Sequence, residues 1–237
     1  MLNLTNTRIS SFIGPAALCG VLALVGACAS TEKSEMPEVS DDGLTLVEGT
    51  EVGAAYLQPG ADFSQYKRLA IMDVNVSFRK DWMRDQNRDS AALSGRITQK
   101  DADRVKQHVA EEFQKVFTEE LVKGGYAVVD YEGVDNSAQD LIVLRPAIVN
   151  LDVTAPDTMS AGMSRTYTTS TGSMTLVLEF FDSVTSSLLG RVMDTEAVRD
   201  AGYMSISNSV TNKSDADRMM RKWARLLVEK LDEVHGK

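Results

Sequence analysis

The chain has 237 residues, with 34 acidic side chains against 25 basic ones, a formal net charge of −9 and a pI near 4.8. An acidic body argues against nucleic-acid binding and against broad attachment to anionic lipid headgroups. Both cysteines, Cys19 and Cys28, lie close to the N-terminus, so the rest of the chain has no disulfide and no cysteine-ligated metal.

The N-terminus carries Arg8, no acidic residue before position 28, and an apolar run over residues 16–24 that is too short for a comfortable bilayer span. This is the pattern of a secretory signal peptide over residues 1–27. Val25-Gly26-Ala27-Cys28 sharpens it: small residues directly before a cysteine form the lipobox of bacterial lipoproteins. Cys28 is then the lipidated residue and the mature N-terminus. Ala29 follows it where an aspartate would be an inner-membrane retention signal, so the expected site is the outer membrane, with the domain facing the periplasm. Each buried methylene contributes ~0.8 kcal/mol, and more than one chain is needed to anchor stably. Removal of the signal leaves 25 − 1 = 24 basic and 34 acidic residues, a net charge of −10.

Residues 28–54 are polar, acidic and unpatterned, which predicts a disordered tether. About 25 such residues have an end-to-end distance of ~25–30 Å. The periplasmic domain is expected over residues 55–237, long enough for one core. Residues 67–78 read as a strand, with Met72, Val74, Val76 and Phe78 on one face. Residues 79–96 read as a polar loop holding Trp82. Thr98 to Asp101 resembles a capping box opening a helix with Val105, Val109, Phe113, Val116, Phe117 and Leu121 on one stripe. Gly124-Gly125 ends it.

Residues 126–130 predict a short strand. Residues 140–154 predict a longer one with Leu141, Val143, Ala147, Val149, Leu151 and Val153 in phase, and Pro146 implies an edge position or a bulge. Residues 173–182 alternate with Met174, Leu176, Leu178 and Phe180 inward, and residues 188–198 return as the hairpin partner. Residues 202–213 read as a mobile connection. Ser214 is expected to cap a last helix with Met220, Trp223, Leu227, Leu231 and Val234 on its buried stripe. The first strand–helix–strand unit implies a right-handed crossover and a parallel pair, and short later connections imply antiparallel strands. The expected fold is α+β: a two-layer sandwich, a mixed and mostly antiparallel sheet with two helices on one face.

Residues 63–69, Val74 to Trp82, the capped helix from Thr98, residues 125–130, residues 144–148, the hairpin over residues 178–186 and the end of the last helix follow one another in a set order and spacing. In that order and spacing the chain resembles the bacterial lipoproteins grouped as domain of unknown function 3313. It covers about residues 55–236. At the hairpin turn Ser186 or Ser187 stands where the family pattern has glycine. The resemblance implies an envelope lipoprotein and supplies no catalytic or ligand residues.

The chemistry-bearing residues are sparse. His108 lies mid-helix and His235 at the C-terminal end, neither accompanied by metal-ligand spacing. There is no Gly-x-Ser-x-Gly elbow and no phosphate loop. Trp82 with Arg79 and Arg84 is either a partner contact, since Trp and Arg are favoured interface anchors, or an indole folded over the sheet edge. Tyr167, a further candidate for the partner contact, lies in a long Ser/Thr/Met/Gly-rich segment that is either a loop or a strand extension. The sequence therefore leads to a non-enzymatic interaction or accessory module. It needs no cofactor, is tethered to the membrane through Cys28 and meets an envelope protein partner. The alternatives are a carrier of a lipid or small apolar ligand, which requires a cavity beneath the helices near Phe113, Phe117 and Trp223, and a hydrolase, which requires a cleft of perturbed titratable groups.

Overall fold

A twelve-residue strand, β6 (Leu141–Asp152), runs through the middle of an open eight-stranded sheet. The structure is a computed structural model that describes residues 36–89, 96–131, 138–153, 166–168, 172–197, 205–207 and 209–237. The other sheet strands are β1 (Thr45–Leu46), β2 (Ala54–Leu57), β3 (Arg68–Ile71), β4 (Asn75–Phe78), β5 (Ala127–Val129), β8 (Ser173–Asp182) and β9 (Leu188–Ala197). Their spatial order is β1-β2-β9-β8-β6-β3-β5, and β4 continues β3 along β6. Pairs involving β3 or β4 are parallel and the rest antiparallel. A separate antiparallel pair joins β7 (Thr166–Thr168) to β10 (Ser205–Ser207). The helices are α1 (Trp82–Asp89), α2 (Gln99–Lys123) and α3 (Ser209–His235). The expected α+β sandwich is the fold: α2 and α3 lie on one face, where Phe113, Val116, Phe117, Met220, Trp223 and Ala224 pack on Leu69, Ile71, Ile142, Leu144, Leu176 and Leu178.

The capping box forms as read. Thr98 Oγ1 accepts the Asp101 N–H, and Asp101 Oδ2 accepts the Thr98 N–H at 3.0 Å. At the far end Gly125 has φ 86, a left-handed position that suits glycine. Gly124 sets how closely the helices approach, because a Cβ there would stand 2.6 Å from Val228 Cγ1 of α3. Glu120, 6% exposed, is held between the helices by Arg221 and Arg225, each at 3.0 Å. The Arg225 guanidinium, followed by that of Arg221, holds the carboxyl below its ordinary range against the opposing effect of burial.

Pro146 is neither at an edge nor at a bulge. β6 pairs on both sides, with β8 and with β3 and then β4. The Met72 N–H donates to the Leu144 carbonyl at 2.9 Å. In a parallel ladder the next bond would run from residue 146 back to Met72. Proline has no N–H to give, and the neighbouring chain leaves the ladder there, between Ile71 and Asn75. The single strand expected over residues 67–78 is thus two, and the break changes its phase. Leu69 and Ile71 face the core before it, and Val74, Val76 and Phe78 after it, while Met72 packs on the opposite face.

The phase of β6 also differs from expectation. Ile142, Leu144 and Ile148 face the helices, whereas Leu141 and Val143 join Ala70 and Phe181 on the other side. A register shift between Val149 and Asp152, with Asn150 at φ 52, then turns Leu151 into the core. Both faces of this strand are apolar, so alternation alone does not choose between them.

Three boundaries move. Residues 36–54, expected as tether, form β1 and the start of β2. Leu44 is 2% exposed, Tyr56 donates its hydroxyl to the Pro37 carbonyl at 3.0 Å, and Asp42 pairs with Arg191 of β9 at 2.7 Å. The polar stretch after Arg79 contains helix α1 rather than only loop, entered through Asp81 at φ 63. Helix α3 starts at Ser209, five residues before Ser214, and β10 lies in the segment expected to be a mobile connection.

Candidate functional site

The sheet is wider than its helical cover. Seven strands side by side at ~4.8 Å span about 30 Å, and two helices about 10 Å apart cover roughly 20 Å. α2 packs on β4 and β5, and α3 lies beside α2 with its Trp223 against Asp194 of β9, which leaves a gap in the helical cover towards β2 at the sheet's edge. The chain that joins β1 to β2, residues 47–52, lies over that gap as a strap. Beneath it is a cleft of about 440 Å³, within the ~300–1,000 Å³ range of small-molecule sites.

Its floor is Ala55 and Leu57 of β2, Val192 of β9, and Leu176, Leu178 and Phe180 of β8. Its wall is Trp223, Leu227 and Leu231 of α3, with Phe63 at one end. Phe63 meets the Phe180 ring edge-on, 6.1 Å between centroids. Leu57 of the floor and Val234 of α3 reach solvent, at 36% and 44% exposure. Every side chain of the floor and wall is apolar, apart from the indole nitrogen of Trp223. That nitrogen donates to Asp194 Oδ2 at 2.8 Å, and Asp194 Oδ1 accepts the Gly53 N–H at 2.9 Å, so one carboxylate ties the base of the strap to α3. Charged groups appear only around the opening: Glu48 and Glu51 on the strap, Lys230 and Glu233 on α3. The Lys230 ammonium stands 2.9 Å from Glu233 and 3.7 Å from Glu51.

A cavity beneath the helices was expected to involve Phe113, Phe117 and Trp223. Only Trp223 lines the cleft. Phe113 and Phe117 are fully buried and stack on each other at 3.9 Å, away from it. Sequence reading missed the strap because residues 47–52 carry no periodic pattern. The signal that could have found it is Val47 and Val52 flanking a glycine and two glutamates directly before a strand.

The Arg79–Trp82–Arg84 corner is a different kind of place. Trp82 is 2% exposed, stacks on Phe78 at 3.8 Å and 7°, and donates its indole N–H to the Val153 carbonyl at 2.8 Å. It closes the corner between β4, α1 and the end of β6, so the indole is not presented to a partner. Arg79 bridges Asp85 at 2.7 Å and Asp152 at 2.8 Å. Arg79, foremost, holds the Asp85 carboxyl below its ordinary value. Arg84 is largely exposed and pairs with Asp81 and Asp85. Tyr167 lies on β7, paired with β10 rather than extending β8. Cys28 lies outside the described residues. His108 is exposed, and His235 sits between the Leu231 and Tyr66 carbonyls.

Residues 37–227 match the model of a family described as protein of unknown function (DUF3313). The chain belongs to that family. No curated protein matches. Among solved structures, this DUF3313 chain is similar to the PelC dodecamer from Paraburkholderia phytofirmans, at 12% identity over 72% of this chain and 95% of that one, TM-score 0.37. It is also similar to a Xanthomonas campestris protein of family DUF330, at 13% identity over 75% and 93%, TM-score 0.35. A third is a putative neuraminyllactose-binding hemagglutinin homolog from Helicobacter pylori, at 8% identity over 74% and 87%, TM-score 0.35. No helix among the described residues is long and apolar enough to cross a membrane.

Proposed function

We propose that this DUF3313 protein is a lipid-anchored accessory protein of the bacterial outer membrane that holds an apolar ligand in the cleft between α3 and the β2–β9–β8 floor. The role is binding, not catalysis. The observation that carries it is the cleft itself: about 440 Å³ with an apolar floor and wall and polar groups only at its mouth. A cleft of this kind favours the carrier reading over a pure protein-contact module, because Trp82, the strongest sequence candidate for a partner anchor, is buried.

The anchor follows from Val25-Gly26-Ala27-Cys28. The described residues begin at Met36, eight positions after Cys28, and eight residues reach at most ~28 Å. Acylation at Cys28 would therefore hold the cleft close to the membrane surface and raise its effective concentration for lipid there.

Two measurements on the chain expressed in its native envelope test this. Membrane fractionation of wild type beside Cys28→Ser is expected to move the protein from the outer membrane to the soluble fraction; unchanged fractionation refutes the anchor. Native mass spectrometry of the Cys28→Ser protein is expected to find an apolar small molecule bound at one equivalent, which Val192→Trp excludes by filling the cleft. Equal occupancy in both proteins refutes the cleft as its site.

A further inference from the structure

We propose that the occupant of the cleft is a single hydrocarbon chain whose head carries an ammonium group, and that this head fastens the strap to α3. The inference rests on the apolar-ligand reading above and adds the chemical class of the ligand.

The argument is charge complementarity at the mouth. Three carboxylates, Glu48, Glu51 and Glu233, surround the opening with one ammonium, that of Lys230, a net charge of −2. An anionic head would meet a surplus of like charge as its chain entered. An ammonium head would meet its counterions. Two of the three carboxylates lie on the strap and the third on α3. Among the described residues, the ion pair that crosses the mouth is made by Lys230, which sits between Glu233 on its own helix and Glu51 on the strap. Lys230 thus already shows how a positive group joins the two walls. Glu48 makes no ion pair among the described residues and is the carboxylate left for an incoming cation.

The strap is fixed at both ends, by the Val47 N–H on the Ala55 carbonyl at 2.8 Å and by Asp194 on Gly53, and is adjustable in its middle. Asp194 holds Gly53 next to β9, where a Cβ would approach the Met193 carbonyl to 3.1 Å. Gly49, at φ 70 with nothing within 4 Å of its Cβ position, sits in the middle of the strap between the two glutamates. A chain that lifts the strap and a head that draws Glu48 and Glu51 back toward Glu233 would act together. The volume suits one chain, and the net charge of −9 on the whole protein adds long-range attraction for a cation.

The test is calorimetric titration of the full chain carrying Cys28→Ser with dodecylammonium, dodecanoate and dodecyl maltoside, each below its micelle concentration. The three probes share one chain and differ in the head. Dodecylammonium is expected to bind at least tenfold more tightly than dodecanoate, about 1.4 kcal/mol, with the maltoside between them. Glu48→Gln with Glu51→Gln and Glu233→Gln is expected to abolish the preference while leaving maltoside affinity unchanged. Lys230→Gln is expected to strengthen ammonium binding. Tighter binding of dodecanoate, lost in Lys230→Gln, overturns the proposal and makes Lys230 the counterion of an anionic head. Equal binding of all three overturns the head preference while the apolar cleft stands. Failure of all three to bind removes the apolar-ligand reading itself.

Discussion

Trp223 and Asp194 join the helical layer to the sheet through one hydrogen bond, indole Nε1 to carboxylate Oδ2 at 2.8 Å, beside an otherwise apolar cleft. The indole is 3% exposed, so its N–H requires an acceptor once water is excluded. Asp194 supplies it and uses its second oxygen for Gly53, at the point where the strap becomes β2. Asp194→Ala is expected to destabilise the fold by about 1–3 kcal/mol, the cost of leaving a buried donor unpaired. Asp194→Asn keeps one acceptor and should cost less. Urea unfolding followed by tryptophan fluorescence measures both, and hydrogen exchange should show faster opening at residues 47–53 in the alanine variant alone.

Trp82 sets a contrasting expectation. Its ring lies flat on Phe78 and its N–H is spent on Val153, so it serves the fold. Trp82→Ala is expected to cost about 3–5 kcal/mol. Trp82→Phe preserves the stack and loses one hydrogen bond, for about 1 kcal/mol. Ligand affinity at the α3 cleft should be unchanged in Trp82→Phe. A Trp82→Phe protein of wild-type stability would show that the Val153 bond contributes nothing.

Much of this architecture is readable from residue order alone. The capping box at Thr98, the stripe of α2 and the alternation of β8 all form as the spacing dictates, because each is a local pattern with one buried face. The misread places share a different cause. β6 is apolar on both faces, so its phase depends on the bulge at Asn150, which no local pattern announces. α1 buries little more than Trp82, so a helix made almost wholly of polar residues carries no periodicity. Pro146 reads as an edge signal, but its missing N–H falls where β3 gives way to β4, a coincidence of two segments far apart in sequence. The cleft was anticipated as a space beneath the helices. Its position beside α3 depends on how many strands outrun two helices, which is a property of the assembled sheet.

The β8–β9 turn offers a stabilising change. Ser186 adopts φ 56, a left-handed conformation that costs a non-glycine residue about 1 kcal/mol. Asp182 holds the turn around it, its Oδ1 accepting the N–H groups of Val184 at 3.0 Å and Thr185 at 2.6 Å. Ser186→Gly relieves the strain and is expected to raise stability by about 0.5–1 kcal/mol, seen as a higher urea midpoint with an unchanged slope. Ser186→Val should act in the opposite sense, since a branched Cβ fits that conformation worse.

The Glu120 cluster makes the packing of α2 on α3 acid-sensitive. Its carboxyl is held below the ordinary value of 4.5 chiefly by Arg225 and then by Arg221, so the folded state binds its proton less readily than the unfolded chain. A depressed carboxylate contributes its full stability above the unfolded pKa and loses it as pH falls through the folded one. The contribution should therefore be intact above about pH 5 and decline steadily below about pH 4.5. Glu120→Gln removes the charge in a similar shape. The difference in urea midpoint between wild type and Glu120→Gln is expected to be constant from pH 8 to 6 and to shrink as the medium is taken down to about pH 3. Arg221 and Arg225 have side chains 34% and 62% exposed and turn to solvent once the carboxylate is gone, whereas Glu120 is 6% exposed and has no such escape. Arg225→Ala with Arg221→Ala should accordingly destabilise more at neutral pH than Glu120→Gln, because it strands a buried charge. The reverse order would mean that Glu120 reaches water in solution and that the two arginines do not hold it there.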